Sequence, residues 1–160
     1  MSDREYKLLL SEVIATWFMA IMVVIGGFFG LFEYMEYKNT LRVDRALEFV
    51  SRYQSNDHVV SARKEISASI EKHLPEISQV LSNPALGVDE LAHVYHDEIM
   101  TIVTEDAISA PLEQLFTFYE QVLLCHEMEL CDETVLANFF DNDAGSYSRT
   151  FYPYICTLRK

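Results

Sequence analysis

An uncharged apolar run near the start of the chain constrains this sequence more than any other feature. Residues 13–32 read VIATWFMAIMVVIGGFFGLF, in which Thr16 is the one polar side chain. As a helix rising about 1.5 Å per residue, this run covers the roughly 30 Å hydrocarbon core of a bilayer. Trp17 lies near one end, and Tyr34 and Tyr37 lie near the other, as aromatic side chains do at membrane interfaces. We therefore predict one transmembrane helix over residues 13–34, with the lipid bilayer as its partner.

Two other structures pass a simple hydropathy test, and the sequence disfavours both. A core helix of a 160-residue protein would show a polar stripe, which residues 13–32 lack. A cleaved signal has a basic start, a shorter apolar stretch and a cleavage site of small residues. Residues 1–12, MSDREYKLLLSE, contain three acids and two bases, and GGFFGLFEYMEY is a poor cleavage site. We interpret residues 1–12 as a short N-terminal tail before an uncleaved single-pass anchor.

The charges that flank the run predict the orientation. Four basic residues follow it and two precede it: Lys38, Arg42, Arg45 and Arg52 against Arg4 and Lys7. By the positive-inside rule this bias favours a cytosolic C-terminal domain, and we expect a bacterial inner membrane. The cysteines, Cys125, Cys131 and Cys156, are odd in number, and a reducing compartment would leave them as free thiols.

The remaining chain is predicted to be all-α. Apolar positions at helical spacing continue the membrane helix into a stalk over residues 35–54, and the turn cluster at residues 55–57 precedes a bundle of about four helices over residues 55–160. We expect helices at about 61–81, interrupted by Pro75 and ended by Asn83-Pro84, and at about 88–105. A third begins at a Ser109 cap, and a fourth begins at an Asp132 cap with a weak place at residues 142–146, NDAGS.

The C-terminal half resembles a known family. Residues 112–160 contain Phe118-Tyr119-Glu120, the acidic pair Asp132-Glu133, and a final helix closing on Ile155 to Arg159. This pattern is similar to an uncharacterised bacterial domain-of-unknown-function family of short single-pass membrane proteins with a helical cytosolic domain. The resemblance implies the architecture and location given above. It implies no catalytic residue, because the family has no assigned activity.

Few residues have spacings that indicate chemistry. Glu90, His93 and Asp97 fall on one face of a helix, and Glu-x-x-His is half of a di-iron carboxylate signature, but the chain has no second copy. A solvated polar face is the simpler interpretation. Cys125, His126 and Cys131 do not supply the four ligands of a structural zinc site, and His126 is expected on a buried stripe. No phosphate-binding glycine loop or nucleophile elbow occurs, so we predict no enzyme activity and no cofactor.

Two further features bear on partners. Gly26, Gly27 and Gly30 form a small-residue pattern that lets membrane helices approach closely. The net charge is −13, and no Lys or Arg occurs between Lys72 and Arg149, whereas 15 acids do. Because Lys and Arg make most phosphate contacts, this balance argues against a nucleic-acid binder. A field of one sign instead suits a basic protein partner, although it can also serve solubility alone.

Three functions are compatible with these features. The favoured hypothesis is a non-catalytic, membrane-anchored interaction protein whose acidic bundle docks a protein partner or a second copy. The first alternative is a metalloprotein or enzyme that uses Glu90, His93 and Asp97. The second is a membrane signal sensor with hinges at Pro75 and Gly145.

Overall fold

The computed structural model describes residues 3–83 and 87–158, and of residues 3–14 it describes the backbone alone. These residues form helices and no strands, which confirms the all-α prediction. The helices are α1 (Asp3–Ser55), α2 (Asp57–Leu81), α3 (Val88–Glu105), α4 (Ser109–Glu127), α5 (Glu133–Thr150) and α6 (Tyr152–Leu158). The chain forms two compact units, Met1–Leu41 and Arg42–Lys160.

The first unit contains the predicted transmembrane segment. Within α1, the stretch Ala15–Ser55 includes a window with a mean hydropathy of 2.1, and none of that window is buried. Its large apolar side chains lie exposed, Val23 at 75% and Phe32 at 73%. A helix of this length and composition is sufficient to cross a membrane, and among the described residues it is the one that meets this test.

The second unit begins inside the predicted stalk. Ala46, Val50 and Tyr53, near the end of α1, are buried in the core of this unit. The sequence pattern placed the bundle from residue 55 onwards, whereas the compact unit starts at Arg42. The apolar stripe that continues beyond the predicted membrane segment therefore serves as packing surface for the bundle, because one helix face can be apolar for either purpose.

The core of the second unit is built by all six helices. Helix α2 packs on α3 and α4, α3 packs on α6, and α5 packs on α4 and α6. Its largest fully buried side chains are Ile66, Ile99, Ile102, Leu112, Leu115, Cys131 and Phe151. Helices α2 and α4 bury residues mostly at three- and four-residue spacing, which is the pattern of an amphipathic helix packed on one side.

The helix boundaries follow local capping chemistry. Asn56 accepts a hydrogen bond from the His58 amide at 3.0 Å, so α2 begins at Asp57, four residues before the predicted start. Asp132 caps α5, as predicted, by accepting from the Val135 amide at 2.9 Å. The prediction of a Ser109 cap is wrong, because α4 begins after Ile108, which has no side-chain acceptor.

The positions predicted as weak points lie inside continuous helices. Residues 142–146 belong to α5, which continues to Thr150, so the weak place predicted at NDAGS is not a break in the helix. The break occurs instead at Phe151, just before Pro153 in the first turn of α6. Pro75 lies within α2, which ends at Leu81. Pro84, predicted to end that helix, lies outside the described residues.

Candidate functional site

The predicted helix-packing glycines lie on the exposed surface of the first unit. A Cβ atom placed on Gly26, Gly27 or Gly30 would meet no other atom within 4 Å. No side chain of the described residues therefore covers the backbone there. The spacing of Gly26 and Gly30 places both on one side of α1, where a second helix could approach the backbone closely.

The predicted metal candidates Glu90, His93 and Asp97 lie exposed on α3. Glu90 has a local role, because its Oε2 atom accepts a hydrogen bond from the Gly87 amide at 3.2 Å at the start of the helix. His93 lines a shallow groove with His96 and Arg149. The three candidates are not among the ligand-type groups that converge in the described part of the chain.

The ligand-type groups that do converge belong to His73, Glu76 and Glu98. One potential ligand atom from each lies within 4.8 Å of the others, so that α2 and α3 together form this cluster. His73 is 8% exposed, whereas Glu76 is exposed and Glu98 is partly buried. Sequence reasoning missed this group. The available signal was His73 at helical spacing from Ile66 and Ile77 on the buried stripe of α2, with an acid three residues later.

Both ring nitrogens of His73 face carboxylates. Nδ1 lies 2.7 Å from Oε2 of Glu76, and Nε2 lies 3.3 Å from Oδ2 of Asp106. The Nε2 atom is buried and has no hydrogen bond within the described structure, because its approach to Asp106 lacks the required geometry. This histidine is therefore placed between two acids, with one nitrogen unsatisfied.

Asp106 is held in its charged form by neighbours on α2. Lys72 donates a hydrogen bond to Oδ1, and the Ser69 hydroxyl donates one to Oδ2 at 2.7 Å. The Lys72 hydrogen bond, followed by that of Ser69, holds the pKa of the Asp106 carboxyl below its ordinary 3.8. Asp106 is also the C-cap of α3, so it fixes the end of that helix against α2.

The cysteines form a feature that the sequence argument did not predict. Cys125 and Cys131 are joined by a disulfide with a Cα–Cα distance of 5.4 Å, and Cys156 is the free cysteine of the described chain. The structure therefore departs from the expectation of three free thiols at this pair. The chain turns sharply after α4, with Glu129 in the left-handed region at a φ of 54°, and this turn brings Cys131 back to Cys125.

His126 lies in the last turn of α4, just before this reversal of the chain. This residue was expected on a buried stripe of α4, but its side chain is exposed, so that prediction is wrong. The buried positions of α4 are Leu112, Leu115, Phe118 and Val122, and the burial ends one turn before His126. While the two sulfurs are bonded to each other, Cys125, His126 and Cys131 cannot act together as metal ligands.

The acids of the interval between Lys72 and Arg149 lie mostly on the surface. Eleven of the 15 are exposed, and the four that are partly buried are Glu98, Asp106, Asp132 and Asp143. Asp132 caps a helix, and Asp106 and Asp143 accept side-chain hydrogen bonds. The remaining exposed carboxylates form a surface of one sign that these local contacts do not neutralise.

Comparisons of this chain with protein-family models, with curated proteins and with solved structures gave no match.

Proposed function

We propose that this protein is a non-catalytic, membrane-anchored interaction protein, in which α1 inserts into a bilayer and the acidic second unit binds a protein partner. The observation that supports anchoring is the uncovered apolar surface of α1. None of its most apolar 18-residue stretch is buried against the rest of the protein. In water this surface would be costly, since each large apolar side chain gains roughly 1.5–3 kcal/mol on burial. A bilayer supplies that burial.

The partner is proposed from charge. The eleven exposed acids between Lys72 and Arg149 would attract a basic protein surface and speed its encounter, and they would repel an anionic leaflet. The alternative partner is a second copy of the chain, with contact through Gly26 and Gly30. The open space at both positions supports this alternative. No observation favours the sensor hypothesis, because Pro75 and Gly145 lie inside continuous helices.

We place the second unit on the cytosolic side, in keeping with the four basic residues that follow the apolar run against the two that precede it. The Cys125–Cys131 disulfide is an argument for the opposite side, because disulfides persist in oxidising compartments. The fold brings the two sulfurs together in either case, and the compartment decides whether they stay bonded. The oxidation state of this pair in cells is thus a test of orientation.

Crosslinking and co-purification of the full-length protein from membranes tests the interaction. We expect a partner that is retained at low salt and released at high salt, because exposed charges are screened by ions. Neutralising Glu120, Glu127 and Glu133 to glutamine should weaken its capture. The matched control, neutralising Arg45 and Lys64, should not. Recovery of the protein as a monomer with no associated protein would contradict the proposal.

A further inference from the structure

The groups around His73, where α2 packs on α3, have more negative than positive charge. Three carboxylates approach the imidazole or its cluster, those of Glu76, Glu98 and Asp106. One ammonium, that of Lys72, pairs with Asp106. With the imidazole neutral, these groups together have a net charge of −2.

The imidazole cannot satisfy both of its neighbours while it is neutral. A neutral ring has one N–H and one lone pair. If the proton is on Nδ1, it bonds to Glu76 at 2.7 Å, and the buried Nε2 lone pair faces the oxygen of Asp106. If the proton is on Nε2, the Nδ1 lone pair faces a carboxylate oxygen at 2.7 Å. Either tautomer leaves two electron-rich atoms opposed, and the conflict is removed either by a second proton on the ring or by a bound metal ion.

We propose that His73, Glu76 and Glu98 bind a first-row divalent transition-metal ion, with Zn²⁺ as the reference ion. In this site the ligands are one oxygen from each glutamate and Nδ1 of His73, the ring nitrogen that lies beside Glu76. Three protein ligands leave a fourth position of a tetrahedral ion for water. One imidazole with two carboxylates is a donor set that suits such ions. The proposal does not depend on the membrane anchor or on a protein partner.

The geometry around Asp106 fits the role of an outer partner. When Nδ1 binds a metal, Nε2 holds the proton and can donate it to a carboxylate, an arrangement that orients metal-binding histidines. Oδ2 of Asp106 lies 3.3 Å from Nε2 without hydrogen-bond geometry, so a metal ion at Nδ1 would have to align the ring with this carboxylate, which Ser69 and Lys72 hold. The unsatisfied Nε2 atom thus gains a function that the metal-free site does not give it.

Such a site would join two helices. His73 and Glu76 belong to α2 and Glu98 belongs to α3, so a bound ion would fasten the two helices near the end of α2. Ligands that bind the folded state alone stabilise it by mass action. We therefore expect Zn²⁺ to raise the thermal unfolding midpoint of the protein.

The test uses full-length protein in detergent, stripped of metal with a chelator and containing Cys156→Ser to remove the free thiol. Titration calorimetry with Zn²⁺ should show one site per chain, and Mg²⁺ should not compete at equal concentration. Glu98→Gln should weaken Zn²⁺ binding by about tenfold or more, and Asp106→Asn by about tenfold. His93→Gln, a histidine of α3 outside the cluster, is the matched control and should bind as the parent does.

The outcomes separate a metal site from a charged histidine. Loss of the Zn²⁺-dependent rise in unfolding midpoint in Glu98→Gln, but not in His93→Gln, would support the site. Glu98 is partly exposed, so this change leaves the core intact. Absence of Zn²⁺ binding would overturn the proposal. So would binding unchanged in both Glu76→Gln and Glu98→Gln, or ring nitrogen signals that show an imidazolium in His73 unaffected by Zn²⁺.

Discussion

The Tyr53 hydroxyl donates a 2.8 Å hydrogen bond to Oδ2 of Asp143, linking the end of α1 to α5 across 90 positions of sequence. The same hydroxyl lies 2.9 Å from that of Tyr119 on α4. Arg63 of α2 completes the group, with its guanidinium 4.1 Å from the Tyr53 ring centroid and 3.8 Å from the Asp143 carboxylate. One side chain therefore contacts three other helices of the second unit, and Tyr53 joins the C-terminal part of α1 to the bundle.

Removing the Tyr53 hydroxyl tests this link. Tyr53→Phe keeps the ring in contact with Phe118 and Phe140 but leaves Asp143 without its donor. We expect a loss of about 1.5–3 kcal/mol in the free energy of unfolding, the range for hydrogen bonds to charged groups. Tyr53→Leu should cost more, because it also removes the ring contacts. Urea denaturation of the two variants measures both losses, and a Tyr53→Phe protein as stable as the parent would show that the hydroxyl contributes nothing.

The buried tyrosines predict a loss of stability in alkali. Burial raises the pKa of Tyr119 to about 12 and raises the pKa of Tyr53 beyond that of free tyrosine. Burial also raises the pKa of Tyr95 and of Tyr154. An unfolded chain releases these protons near pH 10, whereas the folded chain keeps them. The stabilisation is therefore complete below about pH 10 and is lost as the pH rises through the folded pKa values.

Denaturation curves measured across this pH range check the expectation. The free energy of unfolding should be constant on approaching about pH 10 and should then fall towards about pH 12. Tyr119→Phe removes one of the groups responsible, so its curve should fall less steeply. A free energy that rises with pH in this window would contradict the assigned burial of these side chains.

The Asp132 side chain caps α5, and removing its carboxylate should lower the stability of the protein. Its carboxylate accepts from the Val135 amide, while its own amide donates to the Arg42 carbonyl at 3.0 Å. Asp132→Ala should destabilise the protein by about 0.5–2 kcal/mol, because the first turn of α5 loses its acceptor. Asp132→Asn keeps an acceptor and should cost much less. Equal losses in the two variants would show that the cap is not the source of the effect.

The oxidation state of Cys125 and Cys131 reports the compartment of the second unit. If this unit faces the cytosol, as we propose from the flanking charges, the two thiols should be reduced in intact cells. Rapid acid quenching followed by thiol alkylation and mass spectrometry should then find both modified, with the bond forming only after extraction in air. A pair found bonded in quenched cells would place the unit in an oxidising compartment and reverse the orientation.

The sequence was informative wherever periodicity and capping decide the structure. The predicted helix at 88–105 matches α3, because its apolar spacing and its flanks agree. The Asp132 cap was readable for the same reason. The Ser109 cap was not, because the turn before α4 is set by Ala107 in the left-handed region and by burial of Ile108, both of which depend on tertiary packing.

The candidate sites were less readable because they depend on which helices meet. Glu90 and His93 are close in sequence and have the spacing of a metal-ligand motif, but both side chains are exposed on a single helix. The cluster at His73 needs Glu98 and Asp106, which come from another part of the chain. The sequence alone does not show that these residues of α3 and its C-cap pack beside His73 of α2. The disulfide likewise depends on a chain reversal at Glu129. Glycine is the residue that usually marks such a left-handed turn in a sequence, and this position has a glutamate instead.

The membrane anchor is the claim on which the proposed function depends, and fractionation of cells that express the full-length protein tests it most directly. The protein should sediment with membranes, resist extraction by alkaline carbonate and dissolve in detergent. Replacing Ile25 by Arg, near the middle of the apolar run, should reduce insertion, since a central arginine costs about 2.5–3.5 kcal/mol. Full-length protein that stays in the aqueous fraction without detergent would contradict the account.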